Sequence, residues 1–257
     1  MTGNTLDNIS IILVETLQPG NIGSVARAMK NMGLRRLKLV NPKKIHNAES
    51  KKMAGKALDL IEQAQLYETF AEAVEDENVL IATTSARDRK VRQRFYTPRQ
   101  IGPMVREYAR SQRVALVFGS EKRGLSEAQI ARCQYLASIP ADSEHPVLNL
   151  AQSVMVMAYE IFSAADLVDS ADEGTSRLEL SSQQEREQMF SQIEQVLVNI
   201  GFLPSHNPGR IMRSLRRILS HSDLTRRDIQ ILRGIFSQVE WYVEEGQRLG
   251  LDQVKKR

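Results

Sequence analysis

Short apolar runs rich in β-branched residues alternate with segments of helical periodicity through the first half of the chain, and this alternation restricts the fold more than any other feature. Strands that are buried on both faces read as continuous apolar runs, and helical crossovers join parallel strands. The pattern therefore predicts an α/β domain with a parallel sheet covered by helices. The runs are Ile9–Val14, Leu37–Val40, Val79–Ala82, Val114–Phe118 and Leu136–Ile139.

A helix is predicted between the first two runs, because apolar residues recur there every three or four positions. Pro19 and Gly20 are typical of a turn, Asn21 is a suitable N-cap, and Gly33 is a stop signal. A second, strongly apolar helix is predicted over residues 148–167.

Composition along the 257 residues indicates two domains joined by a linker. Residues 166–176 are acidic and small, and the residues after them return to helical periodicity. We therefore predict an α/β domain at 1–165, a linker at 166–180 and a small all-helical domain at 181–257. Three amphipathic helices are expected in that domain, with stripes that include Phe190 and Ile193, Ile211 and Leu215, and Ile229 and Leu232.

The overall composition is that of a folded globular protein, with 42% hydrophobic and 26% charged residues. No window approaches the roughly 20 apolar residues of a membrane span, and the first residues lack the basic start and apolar run of a signal peptide. We expect a cytoplasmic protein that has no membrane partner.

Metal and thiol chemistry are not expected. Cys133 is the only cysteine, so we interpret it as a buried helix residue and not as a nucleophile. The four histidines lie far apart and form no zinc-binding pattern.

The loops after the predicted strands are the candidate functional segments, since parallel α/β sheets bind ligands at the carboxyl ends of their strands. Residues 15–24 lead into a helix whose N-terminus suits an anion. Residues 83–87 carry small hydroxyls, the glycines of 119–125 permit close backbone approach or positive φ, and a polar loop precedes Asn149. No GxGxxG follows the first run and no P-loop lysine occurs, which disfavours a Rossmann or ATP site.

Several of these segments resemble a known enzyme family. Asn21–Met29, Leu116–Leu125 and Leu148–Ala151 resemble the three motifs of SPOUT-class RNA 2′-O-ribose methyltransferases, in that order. The segments Thr84–Arg87, Asn199–Phe202 and Ile231–Ile235 resemble the bacterial tRNA methyltransferase J subgroup. The resemblance implies S-adenosylmethionine-dependent methylation of tRNA at the ribose of nucleotide 32 in the anticodon loop.

The resemblance also implies a SPOUT domain with a C-terminal trefoil knot and a homodimer with a shared active site. Arg27 would contact the ribose and phosphate of the target nucleotide, Asn21 and Asn149 would hold its neighbours, and Glu121 would order the loop between cofactor and RNA. Because a guanidinium group stays protonated in proteins, we assign Arg27 to orientation and charge stabilisation, not proton abstraction. The cofactor would be held by the segments that contain Thr84, Ser85, Gly119, Ile139 and Leu148.

A basic cluster in the predicted helical domain is the candidate tRNA-binding surface. Between Arg210 and Arg233 there are seven arginines and two acids, and clustered arginine suits phosphate binding. The alternative is a solvated face balanced by nearby acids. The candidate residues are Arg210, Arg213, Arg216, Arg217, Arg226 and Arg227.

Two positions depart from the family pattern. Val147 stands where family members commonly have a serine, and Ser120 stands where the subgroup usually has an arginine. The first departure supports an alternative, a catalytically impaired RNA-binding protein of the same fold, unless His145 in the same loop takes over the lost role. A further alternative is an enzyme that acts on rRNA.

Overall fold

The computed structural model describes residues 5–45, 47–85, 94–165, 179–204, 206, 208–220 and 223–248. The chain divides into two compact units, Met1–Arg177 and Leu178–Arg257. Most of the predicted linker at 166–180 lies outside the described residues, as do Ala86 and Arg87. The domain boundaries at 165 and 181 stay predictions.

The first unit contains a parallel sheet, as predicted. Its described strands are β1 (Ile9–Val14), β2 (Arg36–Val40), β3 (Gln65–Tyr67), β4 (Val79–Thr83), β5 (Phe95–Tyr96), β6 (Val114–Phe118) and β7 (Tyr135–Ala137). Their order is β3-β2-β1-β6-β4-β7-β5, and every pair is parallel. The five predicted strands are present, but the last ends at Ala137 and not at Ile139. Ser138 and Ile139 lie between the strand and Pro140, and proline cannot donate to a strand ladder.

Helices lie between the strands. They are α1 (Pro19–Asn31), α2 (Ala48–Ala54), α3 (Leu58–Glu62), α4 (Phe70–Val74), α5 (Pro98–Ala109), α6 (Glu127–Ile130) and α7 (Leu150–Ser163), with short 3₁₀ turns at Thr5–Asn8 and Gly55–Ala57. The parallel sheet with its helices confirms the predicted α/β class. The trefoil knot stays an expectation from the family resemblance.

The start of α1 corrects the sequence prediction. Pro19 is the first helical residue and Gln18 is the N-cap, so the predicted turn and the predicted cap at Asn21 are wrong. Proline is well placed at the first helical position, because its fixed φ is helical and the amide hydrogen it lacks would have no partner in the helix. The Asn21 side chain therefore projects from the first turn of α1. The predicted stop at Gly33 is confirmed, with a φ of 72°.

Helix α7 is shorter than the predicted 148–167, because it begins at Leu150 and ends at Ser163. Asn149 is its N-cap, and the Asn149 side chain accepts a hydrogen bond from the backbone amide of Ala151 at 2.8 Å. Helices α1 and α2 approach closely: a Cβ atom at Gly23 would lie 2.3 Å from the carbonyl oxygen of Ser50. Glycine at this position is what allows the two helices to touch.

The second unit is helical, as predicted. Its described helices are α8 (Gln183–Asn199), α9 (Gly209–Ser220) and α10 (Arg226–Arg248). A separate apolar cluster forms its core and contains Met189, Phe190, Ile193, Leu203, Met212, Leu224 and Ile229. Phe190, Ile193 and Ile229 of the predicted stripes lie in this core, and Leu215 and Leu232 pack against it, but Ile211 is exposed and its predicted place in the stripe is wrong.

Candidate functional site

A cleft of about 540 Å³ lies at the carboxyl ends of the central strands of the first unit. The loops after β1, β4, β6 and β7 line it together with the start of α7, so the loops selected from the sequence meet in space. The five candidate cofactor residues all line the cleft: Thr84, Ser85, Gly119, Ile139 and Leu148.

The loop after β6 is folded back tightly on itself. A Cβ atom at Gly119 would lie 2.1 Å from the carbonyl carbon of Gly124, and Gly124 has a φ of 64°. The Gly124 amide donates to the Ser120 carbonyl at 2.8 Å, and the Arg123 amide donates to the Ser120 hydroxyl at 3.3 Å. The predicted close approach and positive φ are both confirmed, and they keep the loop compact at the cleft.

Hydrogen bonds between neighbouring strands fix the floor of the cleft. The Thr83 hydroxyl donates to the Val117 carbonyl at 2.9 Å, and the Thr84 amide donates to the Ala137 carbonyl at 3.0 Å. The ends of β4, β6 and β7 are thereby held together, and Thr84 and Ser85 follow directly at the cleft.

Glu121 joins the loop after β6 to the start of α1. Its carboxylate accepts hydrogen bonds from the backbone amides of Leu17 at 2.9 Å and Gln18 at 3.3 Å, and from the Asn21 side chain at 2.7 Å. Burial opposes ionisation of Glu121, but the hydrogen bonds, led by that of Leu17, hold its pKa below the ordinary value. The expected anion site at this helix start is therefore taken by the carboxylate of the chain itself.

Asn21 and Asn149 continue this network across the cleft. The Asn149 side-chain amide donates to the Asn21 side-chain oxygen at 3.0 Å. Asn21 in turn donates to Glu121, so three of the four candidate catalytic residues form one chain of hydrogen bonds. All three line the cleft.

Arg27, the fourth candidate, is exposed and does not line the cleft. It lies in a second depression of about 510 Å³, between α1, α2 and α7, whose lining includes Met53, Asn149 and Met155. Asn149 therefore borders both depressions. Within the described part of the chain the Arg27 guanidinium forms no hydrogen bond or ion pair, so its charge is available to a ligand.

The two positions that depart from the family pattern have different settings. Val147 lines the cleft and is 69% exposed, so an apolar side chain faces the space where a hydroxyl is usual. His145 is exposed and is not among the residues that line the cleft. Ser120 is buried, and its hydroxyl holds the loop through Arg123.

Some residues that line the cleft were not identified from the sequence, among them Gln18, Lys122 and Ser153. Ser153 had a usable signal, because it follows Asn149 by one helical turn, and its hydroxyl donates to the Asn149 carbonyl at 3.1 Å. Gln18 and Lys122 were inside recognised loops, where spacing does not indicate side-chain direction.

The arginines of the second unit are unevenly engaged. Arg216 donates to both carboxylate oxygens of Glu187, at 2.6 and 2.9 Å, and lies over the Phe190 ring at 4.4 Å. Arg226 is 3.2 Å from a carboxylate oxygen of Glu185. The remaining candidates form no ion pair among the described residues; they are Arg210, Arg213, Arg217 and Arg227.

The described residues contain no group of three or more acids, histidines or cysteines that would hold a metal ion. None of the helices is long and apolar enough to cross a membrane, within the ranges that are described. Cys133 is fully buried, and burial raises its pKa to about 12. It lies between α6 and β7, so the predicted burial is confirmed while the predicted helical position is wrong.

The chain matches known proteins over most of its length. The profile of the SpoU rRNA Methylase family matches residues 8–159, and that of the tRNA methyltransferase TrmJ C-terminal domain matches residues 184–249. A relative from Pseudomonas aeruginosa (strain UCBPP-PA14), named tRNA (cytidine/uridine/adenosine-2'-O-)-methyltransferase TrmJ, is 37% identical over 244 residues, which are 91% of this chain and 95% of that protein. A relative from Pectobacterium atrosepticum, named tRNA (cytidine/uridine-2'-O-)-methyltransferase TrmJ, is 38% identical over 238 residues, 91% of this chain and 98% of that protein.

Solved structures agree with these matches. The crystal structure of TrmJ from Z. mobilis ZM4 superposes with a TM-score of 0.78 at 33% identity, covering 90% of this chain and 98% of that chain. A probable methylase family protein from Haemophilus influenzae Rd KW20 superposes with a TM-score of 0.62 at 33% identity, covering 93% of this chain and 98% of that chain.

Proposed function

The chain belongs to the SpoU rRNA methylase family, and we propose from this membership that it transfers a methyl group from S-adenosylmethionine to a ribose 2′-hydroxyl of tRNA. The observation that carries the proposal is that one chain combines the methylase domain with the TrmJ C-terminal domain. Relatives that share both regions are named as tRNA 2′-O-methyltransferases.

The cleft suits an adenosyl cofactor in size and chemistry. Its volume of about 540 Å³ lies within the range of small-molecule sites. Ile139 and Leu148 offer apolar surface for an aromatic base, and Thr84 and Ser85 offer hydroxyls for a ribose. When bound, S-adenosylmethionine supplies an electrophilic methyl group. The residues that would hold it are Thr84, Ser85, Gly119, Ile139 and Leu148.

The catalytic assignments follow from the same geometry. Glu121 accepts a hydrogen bond from Asn21, and Asn21 accepts one from Asn149, which borders both depressions. Arg27 has an uncompensated charge in the same depression as Asn149 and would orient the target ribose and its phosphate. Its permanent positive charge excludes it as a proton acceptor.

A homodimer is part of the proposal, because Arg27 lies outside the cleft of its own chain. The depression around Arg27 is largely apolar, and exposed aromatic residues continue it along α7, with Tyr159 54% and Phe162 49% exposed. A second copy seated on this face would cover the apolar surface and complete the site.

The finer assignments concern the nucleotide, the RNA-binding residues and the location of the activity. Nucleotide 32 rests on the sequence resemblance, and cytidine or uridine as the target rests on the names of the relatives. We propose that the arginines of α9 and α10 bind tRNA phosphates and that the protein acts in the cytoplasm. Those arginines are Arg210, Arg213, Arg216, Arg217, Arg226 and Arg227.

A second candidate, a knotted RNA-binding protein with impaired catalysis, is favoured by one observation: Val147 presents an apolar side chain to the cleft. Incubation of the full chain with labelled S-adenosylmethionine and separate pools of tRNA and rRNA tests both. We expect label in tRNA. Label only in rRNA would contradict the proposal that tRNA is the substrate. RNA binding without any label would favour the catalytically impaired RNA-binding protein.

A further inference from the structure

Five exposed lysines lie close together in the segment from the end of β2 to the 3₁₀ turn after α2. They are Lys43, Lys44, Lys51, Lys52 and Lys56, here called the lysine patch. The same stretch contains one acid, Glu49, whose carboxylate lies against Gly20 of α1. Within the described residues none of the five ammonium groups forms an ion pair. The patch is therefore a concentration of uncompensated positive charge.

The patch lies beside the depression that holds Arg27. Helix α2 packs along α1, with Ser50 against Gly23, and the Lys30 ammonium of α1 donates to the Lys56 carbonyl at 2.8 Å. Arg27 lies between Gly23 and Lys30 on α1, and Met53 of α2 lines the same depression as Arg27. Buried Ser50 and Ala54 face α1, while Lys51 and Lys52 are exposed.

The loop before α2 extends the patch toward the cleft. The Lys43 backbone amide donates to the Thr16 carbonyl at 3.0 Å, which places residues 41–45 beside the loop after β1. That loop also contains Leu17 and Gln18, whose amides bind Glu121. The lysines thus lie along the edge of the site already described.

Several other basic residues of the first unit are already paired. Lys30 forms an ion pair with Asp59 at 2.7 Å, and Lys38 is buried with Glu77 at 2.8 Å. In the second unit, two of the six candidate arginines, Arg216 and Arg226, also have carboxylate partners. By contrast, none of the five ammonium groups of the lysine patch has a carboxylate partner among the described residues.

We infer that the lysine patch binds RNA backbone phosphates next to the nucleotide presented to Arg27, an inference that rests on the proposed RNA substrate. Lysine ammonium groups act as point charges and bind phosphates without a fixed geometry, which suits contacts that position RNA without reading its sequence. The first unit then contributes to RNA affinity in addition to the arginines of the second unit.

The test is the salt dependence of tRNA binding by the full chain. Lys51→Gln/Lys52→Gln removes two charges from the patch, and Arg35→Gln/Arg99→Gln removes two exposed, unpaired charges elsewhere in the described part of the first unit. Each lost phosphate contact lowers the slope of log affinity against log salt by about one, so we expect a decrease of about two for the lysine variant. The arginine variant should keep the wild-type slope.

Affinity for S-adenosylmethionine, measured by calorimetry, checks that both variants are folded. A lysine variant with wild-type cofactor affinity and an unchanged tRNA affinity and slope would overturn the inference, while wild-type methylation of tRNA would leave the proposed function intact. An equal loss of slope in both double variants would also overturn it, because the patch would then be no different from any other surface charge. If wild-type protein methylates no tRNA and binds none, the proposed function itself fails.

Discussion

Individual residues at the cleft differ in how far their neighbours restrain them. Glu121 and Asn21 are held by several hydrogen bonds, whereas Arg27 and Val147 are exposed and have freedom to meet a ligand. Restrained residues shape the site, and unrestrained ones are suited to contact the substrate. The two exposed residues therefore give the sharpest tests of chemistry.

Replacement of Arg27 by alanine should remove most methyl transfer and leave the fold intact. The side chain is exposed and has no partner among the described residues, so its loss should change the free energy of unfolding by less than about 0.5 kcal/mol. Loss of its charge at the ribose should lower the single-turnover rate by at least about a hundredfold. Arg35→Ala is the control, and a variant at position 27 that kept the wild-type rate would show that Arg27 is not catalytic.

Substitution of Val147 by serine tests whether a hydroxyl is missing from the cleft. We expect Val147→Ser to change the single-turnover rate by up to about a hundredfold, the scale of one catalytic hydrogen bond, without creating an activity that the wild type lacks. Val147→Ala is the matched control, since it removes the bulk of valine and adds no hydroxyl. Transfer that occurred only in the serine variant would show that the natural chain is catalytically impaired.

At the scale of secondary-structure elements, the loop after β6 and the start of β4 are each held by one dense set of contacts. The loop after β6 has no space for a side chain at Gly119. At the opposite end of the sheet, Asp76 and Glu77 surround the ammonium of fully buried Lys38 of β2. Arg36 and Arg113 complete that cluster of charges.

An alanine at Gly119 should displace the loop from the cleft. The added Cβ would meet the Gly124 backbone at 2.1 Å, which no side-chain movement can relieve. We expect S-adenosylmethionine affinity, measured by calorimetry, to fall at least about tenfold, because the loop lines the cleft that we propose as the cofactor site. Gly234→Ala in α10 is the control, since no atom lies within 4 Å of its Cβ position and alanine favours a helix. Equal cofactor affinity in both variants would refute the role of the loop.

Asp76 should contribute to the acid sensitivity of the fold. Burial opposes its ionisation, but the hydrogen bond from Lys38 and the charges of Lys38, Arg113 and Arg36 outweigh burial and hold its pKa below 3.8. A depressed pKa means that the stabilisation is present above the unfolded pKa of about 3.9 and is lost as pH falls through the folded value. Asp76→Asn should therefore unfold more readily than wild type at pH 7 and lose less stability between pH 5 and pH 3. Denaturant titrations at the three pH values measure this, and parallel losses in both proteins would contradict it.

At the scale of the whole molecule, long apolar runs and amphipathic stripes were sufficient to predict the parallel sheet and the helical second unit. Strands β3 and β5 were missed because they contain three and two residues, too few for a pattern. The predicted start of α1 was wrong because proline is typical both of turns and of the first position of a helix, so Pro19 alone does not distinguish the two.

The candidate site was predicted unevenly for a related reason. The rule that parallel sheets bind ligands at their carboxyl ends identified the loops that meet at the cleft. Motif resemblance named Asn21, Glu121 and Asn149, which the fold joins by hydrogen bonds. Sequence separation conceals such contacts: Asn21 and Glu121 are 100 positions apart. The lysine patch went unnoticed because lysines in a sequence do not reveal which of them will find an acid partner.

The position of the transferred methyl group is the decisive test of ribose methylation of tRNA by this protein. Full-length protein is incubated with labelled S-adenosylmethionine and a tRNA transcript, and the product is digested and analysed by mass spectrometry, with a transcript that carries a 2′-deoxyribose at nucleotide 32 as the control. We expect one methyl group on the ribose 2′-oxygen of nucleotide 32 and none on the deoxy transcript. A methyl group on a base, or an unlabelled tRNA from protein that binds the cofactor, would contradict it.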